Sequence, residues 1–209
     1  VAALTTNHTF FYRESHHFEH FAAEVRPGLV RRLRAGGSAR LWSAGCSSGE
    51  EVWSLVLTLL GSDRGEGSRL AAADLRVLAS DIAPHALAKA AAAIYPAADL
   101  GPVPAVLGAA WTKVAGETAE IAEAPRSVVR FRSLNLHGPW PMRRKFDVIF
   151  CRNVMIYFDS PTKERLLLRF AEALPQGGHL YIGHSERVTG AAARCLHQVG
   201  PTIYRKDEP

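Results

Sequence analysis

Short apolar runs alternate with stretches of helical periodicity from Ala39 to the end of the chain, and this alternation limits the fold more than any other feature. Each apolar run is long enough for one buried strand, and the periodic stretches are long enough for crossover helices. The pattern therefore predicts an α/β fold with a doubly wound, mostly parallel sheet. The predicted strands are residues 40–44, 75–79, 128–132, 146–151 and 180–182.

Helical periodicity connects the predicted strands. Residues 50–60 carry apolar side chains at spacings of three and four, which is typical of a helix. Pro84 suits the first turn of a second helix that runs to about Ile94, with Ile94 facing inward. A third helix is predicted over residues 161–174.

The remaining segments depart from this alternation. Residues 195–199 and 202–205 predict an antiparallel C-terminal hairpin that closes the sheet. Residues 96–126 are rich in Ala, Gly and Pro, so we expect a small insert there, or a helical excursion. We then expect the chain to divide into an N-terminal motif and helix over residues 1–38 and a domain over residues 39–209.

Composition excludes several classes of protein. No apolar run approaches the roughly 18–20 residues that a membrane helix needs. Cys46, Cys151 and Cys195 are too few and too scattered for a disulfide scaffold, and they lack the spacing of metal ligands, so we expect no metal. The composition is that of a reduced, soluble and cytoplasmic domain without direct membrane insertion.

The net charge of +5, from 25 basic and 20 acidic residues, invites a nucleic-acid interpretation. The basic clusters are not interleaved with the aromatic residues that single-strand binding requires, so we expect no nucleic-acid partner. The cluster nearer the start of the chain is either the solvated face of a helix or a surface that binds an acidic protein. The clusters comprise Arg26, Arg31, Arg32, Arg34 and Arg40, and then Arg143, Arg144 and Lys145.

A loop rich in glycine and serine follows the first predicted strand (AGCSSGEE, residues 44–51). Gly45 and Gly49 permit a ligand to approach the backbone closely, but the spacing matches neither the dinucleotide fingerprint nor the P-loop. Glu50 and Glu51 at the start of the next helix would repel a phosphate and suit a cationic group. The alternative is a tight β–α turn without a ligand.

Asp81 ends the second predicted strand, where a carboxylate can accept hydrogen bonds from both ribose hydroxyls of a nucleoside. Together with the first loop, it indicates a nucleoside that lacks phosphates and carries positive charge. S-adenosylmethionine has these properties. The alternative for Asp81 is capping of the helix that begins at Pro84.

Five sequence blocks keep one order along the chain: residues 5–18 (TTNHTFFYRESHHF), 43–54, 79–82, 146–158 (FDVIFCRNVMIYF) and 183–186 (GHSE). Together they resemble the CheR-type chemotaxis receptor methyltransferases, which are protein-glutamate O-methyltransferases. The resemblance implies a Rossmann-like class I methyltransferase sheet in residues 39–209, with the N-terminal motif and helix of residues 1–38 packed on the cofactor site. It also implies methyl transfer from S-adenosyl-L-methionine to glutamates in the cytoplasmic region of methyl-accepting chemotaxis receptors, which yields methyl esters and S-adenosyl-L-homocysteine.

The resemblance further implies which residues bind the cofactor. Asp81 would hold the ribose, and Asn135 and Leu136 would flank the adenine. Glu50 and Asn153 would face the methionyl ammonium group. The planar guanidinium group of Arg13 would donate paired hydrogen bonds to a carboxylate, either that of the cofactor or that of the incoming glutamate. The full implied set is Asn7, Thr9, Arg13, Glu50, Asp81, Asn135, Leu136, Arg152 and Asn153.

The chemistry limits which catalytic residues to expect. A glutamate carboxylate, with an unperturbed pKa of roughly 4.3, is ionised at neutral pH and needs no general base. The enzyme must position it and exclude water. Arg13 would orient the carboxylate and Tyr157 would aim its hydroxyl at the reacting centre; the alternative for Tyr157 is core packing. We expect structural or supporting roles for His16, His17 and His184.

Two other functions remain open from the sequence. The chain could be a non-catalytic module that binds S-adenosylmethionine or S-adenosylhomocysteine and regulates a partner, although Arg13 and Tyr157 argue against this. It could also be an amino-group methyltransferase, although residues 153–157 (NVMIY) lack the prolines of that loop. The family usually carries a helical docking domain before the TTN motif, so either the chain is a fragment or substrate recognition is supplied elsewhere.

Overall fold

The computed structural model describes residues 9–207, and Asn7 lies outside them. Its strands are β1 (Ser38–Ala44), β2 (Asp74–Asp81), β3 (Ile94–Pro96), β4 (Thr112–Ala115), β5 (Thr118–Ile121), β6 (Val129–Ser133), β7 (Val148–Cys151), β8 (His179–Ile182), β9 (Leu196–Gly200) and β10 (Ile203–Lys206). Its α-helices are α1 (His16–His20), α2 (Arg26–Arg34), α3 (Glu50–Leu60), α4 (Arg64–Ala72), α5 (Pro84–Ala92), α6 (Ala105–Trp111), α7 (Glu123–Val128) and α8 (Ser160–Ala173). A π-helical turn (Phe21–Val25) joins α1 to α2, and 3₁₀ turns form at Ala97–Leu100, Met155–Tyr157 and Gly190–Arg194.

The main sheet has seven strands in the order β6-β2-β1-β7-β8-β10-β9. Neighbours from β6 through β8 are parallel, whereas β10 runs antiparallel to both β8 and β9. The predicted doubly wound, mostly parallel sheet with an antiparallel C-terminal hairpin is thus confirmed. The strand order reverses between β1 and β7, which is where such sheets open a crevice at their carboxyl ends.

Helices and loops cover both faces of this sheet. On one face Trp42 of β1 packs against Phe170 of α8, with ring centroids 5.5 Å apart. On the other face Phe150 of β7 stacks on Phe18 of α1 at 5.6 Å. Because apolar layers lie on both sides, β7 is buried at every position, as its apolar sequence predicts.

The predicted insert contains a separate antiparallel sheet in the order β3-β5-β4, together with α6 and α7. It corrects one expectation, because the helix that begins at Pro84 ends at Ala92 instead of continuing to Ile94. Ala93 takes a left-handed conformation with φ of 56° and turns the chain out of the helix. Ile94 then pairs with Glu120 in β5 and is 49% exposed, so it does not face inward on a helix.

The first basic cluster is not one solvated helical face. Arg31, Arg32 and Arg34 are exposed on α2, as that interpretation requires. Arg26 instead donates through Nε to the Leu59 carbonyl at 2.8 Å, and Arg40 lies in β1 and pairs with Asp74 at 2.7 Å. Within residues 9–207, no helix has both the length and the apolar character needed to cross a membrane.

Candidate functional site

A cleft of about 610 Å³ opens at the carboxyl ends of β1, β2, β6 and β7. The loops that follow these strands supply most of its walls, and the segment before α1 supplies the rest. The predicted residues that line it are Thr9, Arg13, Asp81, Asn135, Leu136, Arg152, Asn153 and Tyr157, with Gly45, Cys46, Ser47, Glu51, Ile82, Ala83, Leu134, His137, Val154, Ile156 and Phe158 beside them.

The loop after β1 is held close to the opposite wall. Gly45 has a φ of 85°, and a Cβ on it would lie 2.4 Å from Cγ2 of Val154. The amides of Gly45 and Cys46 both donate to the Ser80 carbonyl, at 2.8 and 2.9 Å. Ser47 also adopts a positive φ of 48°, and its buried hydroxyl has no hydrogen-bond partner in the described structure. The loop therefore forms a turn and also brings the backbone of Gly45 into close contact with Val154.

Asp81 joins the first and second loops. Its Oδ2 accepts a hydrogen bond from the Ser47 amide at 2.8 Å, and its Oδ1 accepts one from the Ala83 amide at 2.9 Å. Ala83 is itself the N-cap of α5, so this bond does not cap the first turn of that helix. Each carboxylate oxygen has room for a second donor, which leaves Asp81 able to bind a ligand's hydroxyls.

The two glutamates at the start of α3 have different surroundings. Glu51 lines the cleft, accepting from Ser43 Oγ at 2.6 Å and from Arg152 Nε at 2.8 Å. Glu50 is buried but does not line the cleft; its carboxylate accepts from Ser48 Oγ at 2.8 Å. Both glutamates were expected to suit a cationic group, but only Glu50 was named in the implied cofactor-binding set, whereas it is Glu51 that lines the cleft.

Arg152 connects the cleft to the segment before α1. Its side chain is only 3% exposed, and its guanidinium lies 5.1 Å from the ring of Phe18. Nη1 donates to the backbone carbonyl of Arg13 and lies 3.3 Å from Nδ1 of His17. Arg152 is therefore both a wall of the cleft and the group that fixes the backbone of Arg13.

The backbone on both sides of Arg13 is left-handed, with φ of 55° at Tyr12 and 56° at Glu14. Two bonds to α3 hold this turn: the Tyr12 amide donates to Ser54 Oγ at 3.0 Å, and the Tyr12 hydroxyl lies 3.0 Å from Thr58 Oγ1. The turn places the Arg13 side chain at the cleft.

His17 ties α1 to the C-terminal hairpin. Its Nε2 lies 2.9 Å from Thr202 Oγ1, and its ring is fully buried. Burial, reinforced by the positive charge of Arg152, lowers the pKa of His17 to about 3, so the ring is neutral. Its Nδ1 therefore accepts the hydrogen bond from Arg152, and its position is structural.

The segment after β7 supplies the opposite wall. Tyr157 is 54% exposed at the cleft, so the core-packing alternative is wrong. Asn153 has a positive φ of 59°.

Asn135 and Leu136, which follow β6, also line the cleft. The Asn135 side-chain oxygen accepts a hydrogen bond from the His137 amide at 2.9 Å, and Leu136 is buried.

A buried carboxylate that received no role from the sequence lies behind this wall. Glu186 accepts hydrogen bonds from the amides of Gly183 at 2.6 Å, Met155 at 2.8 Å and Asn153 at 3.3 Å. Burial raises the pKa of Glu186, although these bonds oppose the shift. The GHSE block was the available signal, but its last residue acts on the segment after β7, 33 positions earlier.

These residues fit a cationic nucleoside. The cleft has Asp81 with spare acceptor capacity, an apolar wall at Leu136, and a buried hydroxyl of Ser47 without a partner. Glu51 adds a carboxylate at the first loop. The cleft thus combines hydroxyl acceptors, an apolar surface and acidic groups without the loop pattern of a phosphate site.

Comparison with known proteins identifies the family. Residues 7–204 match the family described as "CheR methyltransferase, SAM binding domain". The chain belongs to this family. It is therefore an S-adenosylmethionine-dependent methyltransferase, and the predicted resemblance is confirmed.

Curated relatives match nearly the whole chain. The probable chemotaxis protein methyltransferase of Rhizobium etli is 45% identical over 209 residues, which cover 98% of this chain and 76% of the relative. The chemotaxis protein methyltransferase of Borreliella burgdorferi is 35% identical over 211 residues, covering 99% and 73%. Among solved structures, an O-methyltransferase family 2 protein from Planctomyces limnophilus in complex with apigenin is similar with a TM-score of 0.45 and 20% identity, covering 79% of this chain and 37% of that one.

Proposed function

We propose that the protein transfers the methyl group of S-adenosylmethionine to glutamate side chains in the cytoplasmic region of chemotaxis receptors, and that it works in the cytoplasm. The observation that carries this proposal is that Arg13 and Tyr157 line the same cleft as Asp81. A guanidinium fork and a phenol suit a carboxylate acceptor, and Asp81 suits the ribose of the methyl donor. The names of the relatives support a role in chemotaxis.

Three groups of residues are proposed to bind three parts of the cofactor: the ribose, the adenine and the methionyl end. Asp81 takes the ribose hydroxyls, and the Asn135–Leu136 wall takes the adenine, with the exposed Ile82 side chain as a second apolar surface. Asn153 and the Arg152–Glu51 pair lie at the methionyl end. Glu50 was expected to face the methionyl ammonium group but does not line the cleft, so we propose that it acts through the loop by accepting the hydrogen bond from Ser48.

The segment of residues 1–38 is proposed to complete the cofactor site, and residues 39–209 to form the methyltransferase domain. Thr9 and Arg13 support this division, because both line a cleft whose other walls come from the second part of the chain. Asn7 remains a proposed cofactor ligand on the resemblance alone.

When bound, the cofactor supplies a methyl group on a positively charged sulfur. The glutamate carboxylate of the substrate is already ionised at neutral pH, so the chain needs to orient it and exclude water. Arg13 is proposed to pair with a carboxylate, and Tyr157 to direct its hydroxyl toward the acceptor. Because opposite charges cancel during transfer, a cleft with little water favours the step.

Release of volatile methanol tests the reaction. The chain is incubated with a receptor cytoplasmic fragment and S-adenosylmethionine labelled in its methyl group, and the product is then treated with base. A glutamate methyl ester releases labelled methanol, whereas a methylated amine retains its label. Labelled receptor without methanol release would favour the amino-group methyltransferase, and cofactor binding by calorimetry without any transfer would favour the regulatory module.

A further inference from the structure

The carboxylate of Glu186 lies behind the cleft wall that carries Tyr157. It is 5% exposed and does not line the cleft, so it is not placed to touch a ligand. Its two oxygens accept hydrogen bonds from three backbone amides. Gly183 and Asn153 donate to Oε2, at 2.6 and 3.3 Å, and Met155 donates to Oε1 at 2.8 Å.

The backbone here leaves the regular sheet. Asn153 follows β7 with a φ of 59°, and its amide donates to the Glu186 side chain. Gly183 follows β8 and lies so close that a Cβ on it would be 2.7 Å from the Asn153 nitrogen. Because buried amides need acceptors, the crossing of these two chain segments depends on a side chain that can accept several bonds at once.

The position of Tyr157 depends on the same segment. Tyr157 ends the 3₁₀ turn Met155–Tyr157, of which Met155 is held by Glu186. With 54% of its surface exposed, Tyr157 receives little support from packing. Its location is set mainly by the backbone that leads to it.

We propose that Glu186 is a positioning residue, which holds the segment 153–157 through its amides and so fixes the Tyr157 hydroxyl at the reacting centre. This inference rests on the proposed role of Tyr157 in methyl transfer. The carboxylate is required because both of its oxygens must accept. In Glu186→Gln, one oxygen becomes an amide nitrogen, which presents hydrogens to at least one backbone donor.

A double-mutant cycle in kcat tests the coupling of the two residues. The variants are Glu186→Gln, Tyr157→Phe and their combination. Asp63→Asn serves as the matched control, because Asp63 also accepts a backbone amide, that of Glu66 at 2.9 Å, but at the start of α4. All variants are titrated calorimetrically with S-adenosylhomocysteine, so that loss of folded sites is seen as a reduced binding stoichiometry.

We expect Glu186→Gln to lower kcat at least tenfold while it binds one S-adenosylhomocysteine per chain. Adding Tyr157→Phe to it should change kcat less than twofold, because the hydroxyl is already misplaced. In the Asp63→Asn background, Tyr157→Phe should have its full effect. If Glu186→Gln binds no S-adenosylhomocysteine, Glu186→Asp, which keeps both oxygens but retracts them, replaces it under the same criteria.

Two results would overturn the inference. If Tyr157→Phe lowers kcat by the same factor in the Glu186→Gln variant and in the unmodified protein, the two residues act independently. Tyr157→Phe without any effect on kcat would remove the hydroxyl that Glu186 is proposed to fix. Neither result touches the proposed function if the unmodified protein still releases methanol, whereas absence of methanol overturns that function itself.

Discussion

Left-handed backbone is concentrated around the cleft. Among residues 9–207, six non-glycine residues have a positive φ, and four of them lie in or beside the cleft wall: Tyr12, Glu14, Ser47 and Asn153. Each costs of order 1 kcal/mol or more relative to ordinary backbone. Side-chain bonds compensate locally, since Asp81 accepts from the Ser47 amide and Glu186 from the Asn153 amide.

Gly45→Ala measures how close the two walls are. We expect it to lower the free energy of unfolding and to weaken S-adenosylhomocysteine binding, because the new Cβ would meet Val154 at 2.4 Å in addition to the strain of φ at 85°. Gly36→Ala is the control, since Gly36 has a φ of 79° but no atom within 4 Å of an added Cβ. Urea denaturation should show a larger loss for Gly45, and equal losses would contradict the contact.

Asp81→Ala should weaken S-adenosylhomocysteine binding by about 1–3 kcal/mol, because ribose hydroxyls would be buried without an acceptor. Calorimetric titration measures this loss. Asp74→Ala, at the other end of β2, should leave the affinity unchanged, because Asp74 pairs with Arg40 far from the cleft. Unchanged affinity in Asp81→Ala would remove this carboxylate from the site.

Some site residues were predictable from sequence and others were not, for a physical reason. Asp81 ends a strand whose apolar run is plain, so its place at the sheet edge follows from the topology. Glu186 and Glu51 act through hydrogen bonds to segments 31 to 101 positions away, and no local pattern records such partners. The left-handed turn at Tyr12 and Glu14 was equally hidden, because neither residue type favours that backbone.

At the scale of elements, the central strands could be predicted because burial on both faces of the sheet gives them continuous apolar sequences. Helix α3 was predicted with both ends correct, because Gly49 and Gly61 bound it. The end of α5 was not, because an alanine run has no stop signal and Ala93 turns the chain where β5 provides a partner for Ile94. Pairing within the insert is thus a tertiary effect that overrides helical propensity.

Helix α8 supports the wall at Asn135 and Leu136, which is proposed to take the adenine, through Arg169. Its guanidinium stacks on Trp140 at 3.9 Å and donates to the carbonyls of Leu136 at 2.6 Å and Gly138 at 2.7 Å. Arg169→Lys should weaken S-adenosylhomocysteine binding, by about 1–3 kcal/mol, since an ammonium cannot make the planar two-pronged contact. Arg165→Lys, one turn earlier on α8 and exposed, is the control. Calorimetry with equal losses in both would exclude a specific role for Arg169.

At the scale of the whole molecule, a buried histidine and a half-buried one make the free energy of unfolding sensitive to acid. The pKa of His17 is lowered to about 3 and that of His179 to about 4, both mainly by burial. Below about pH 6.5 these histidines bind protons in the unfolded chain but not in the folded one. Their contribution to the free energy of unfolding is therefore complete above that pH and is lost as the pH falls toward their pKa values in the folded protein.

His17→Gln should flatten this acid dependence. Each proton taken up only by the unfolded chain lowers the free energy of unfolding by about 1.4 kcal/mol per pH unit. Urea denaturation between pH 6 and pH 4 should therefore lose about that slope in His17→Gln. His85→Gln, which changes an exposed histidine of α5, should retain the slope of the unmodified protein. Identical slopes in the two variants would assign the acid sensitivity to other groups.

The bond between His17 and Thr202 also has a consequence for synthesis on the ribosome. The two residues are 185 positions apart in the sequence, yet their side chains are in hydrogen-bond contact. At roughly 5–20 residues per second, the segment that carries Arg13 is made about ten to forty seconds before its partner. During this interval the emerging chain can already form the bonds from the Tyr12 turn to α3, but His17 lacks its partner, so the contact between α1 and the C-terminal hairpin forms only near the end of translation.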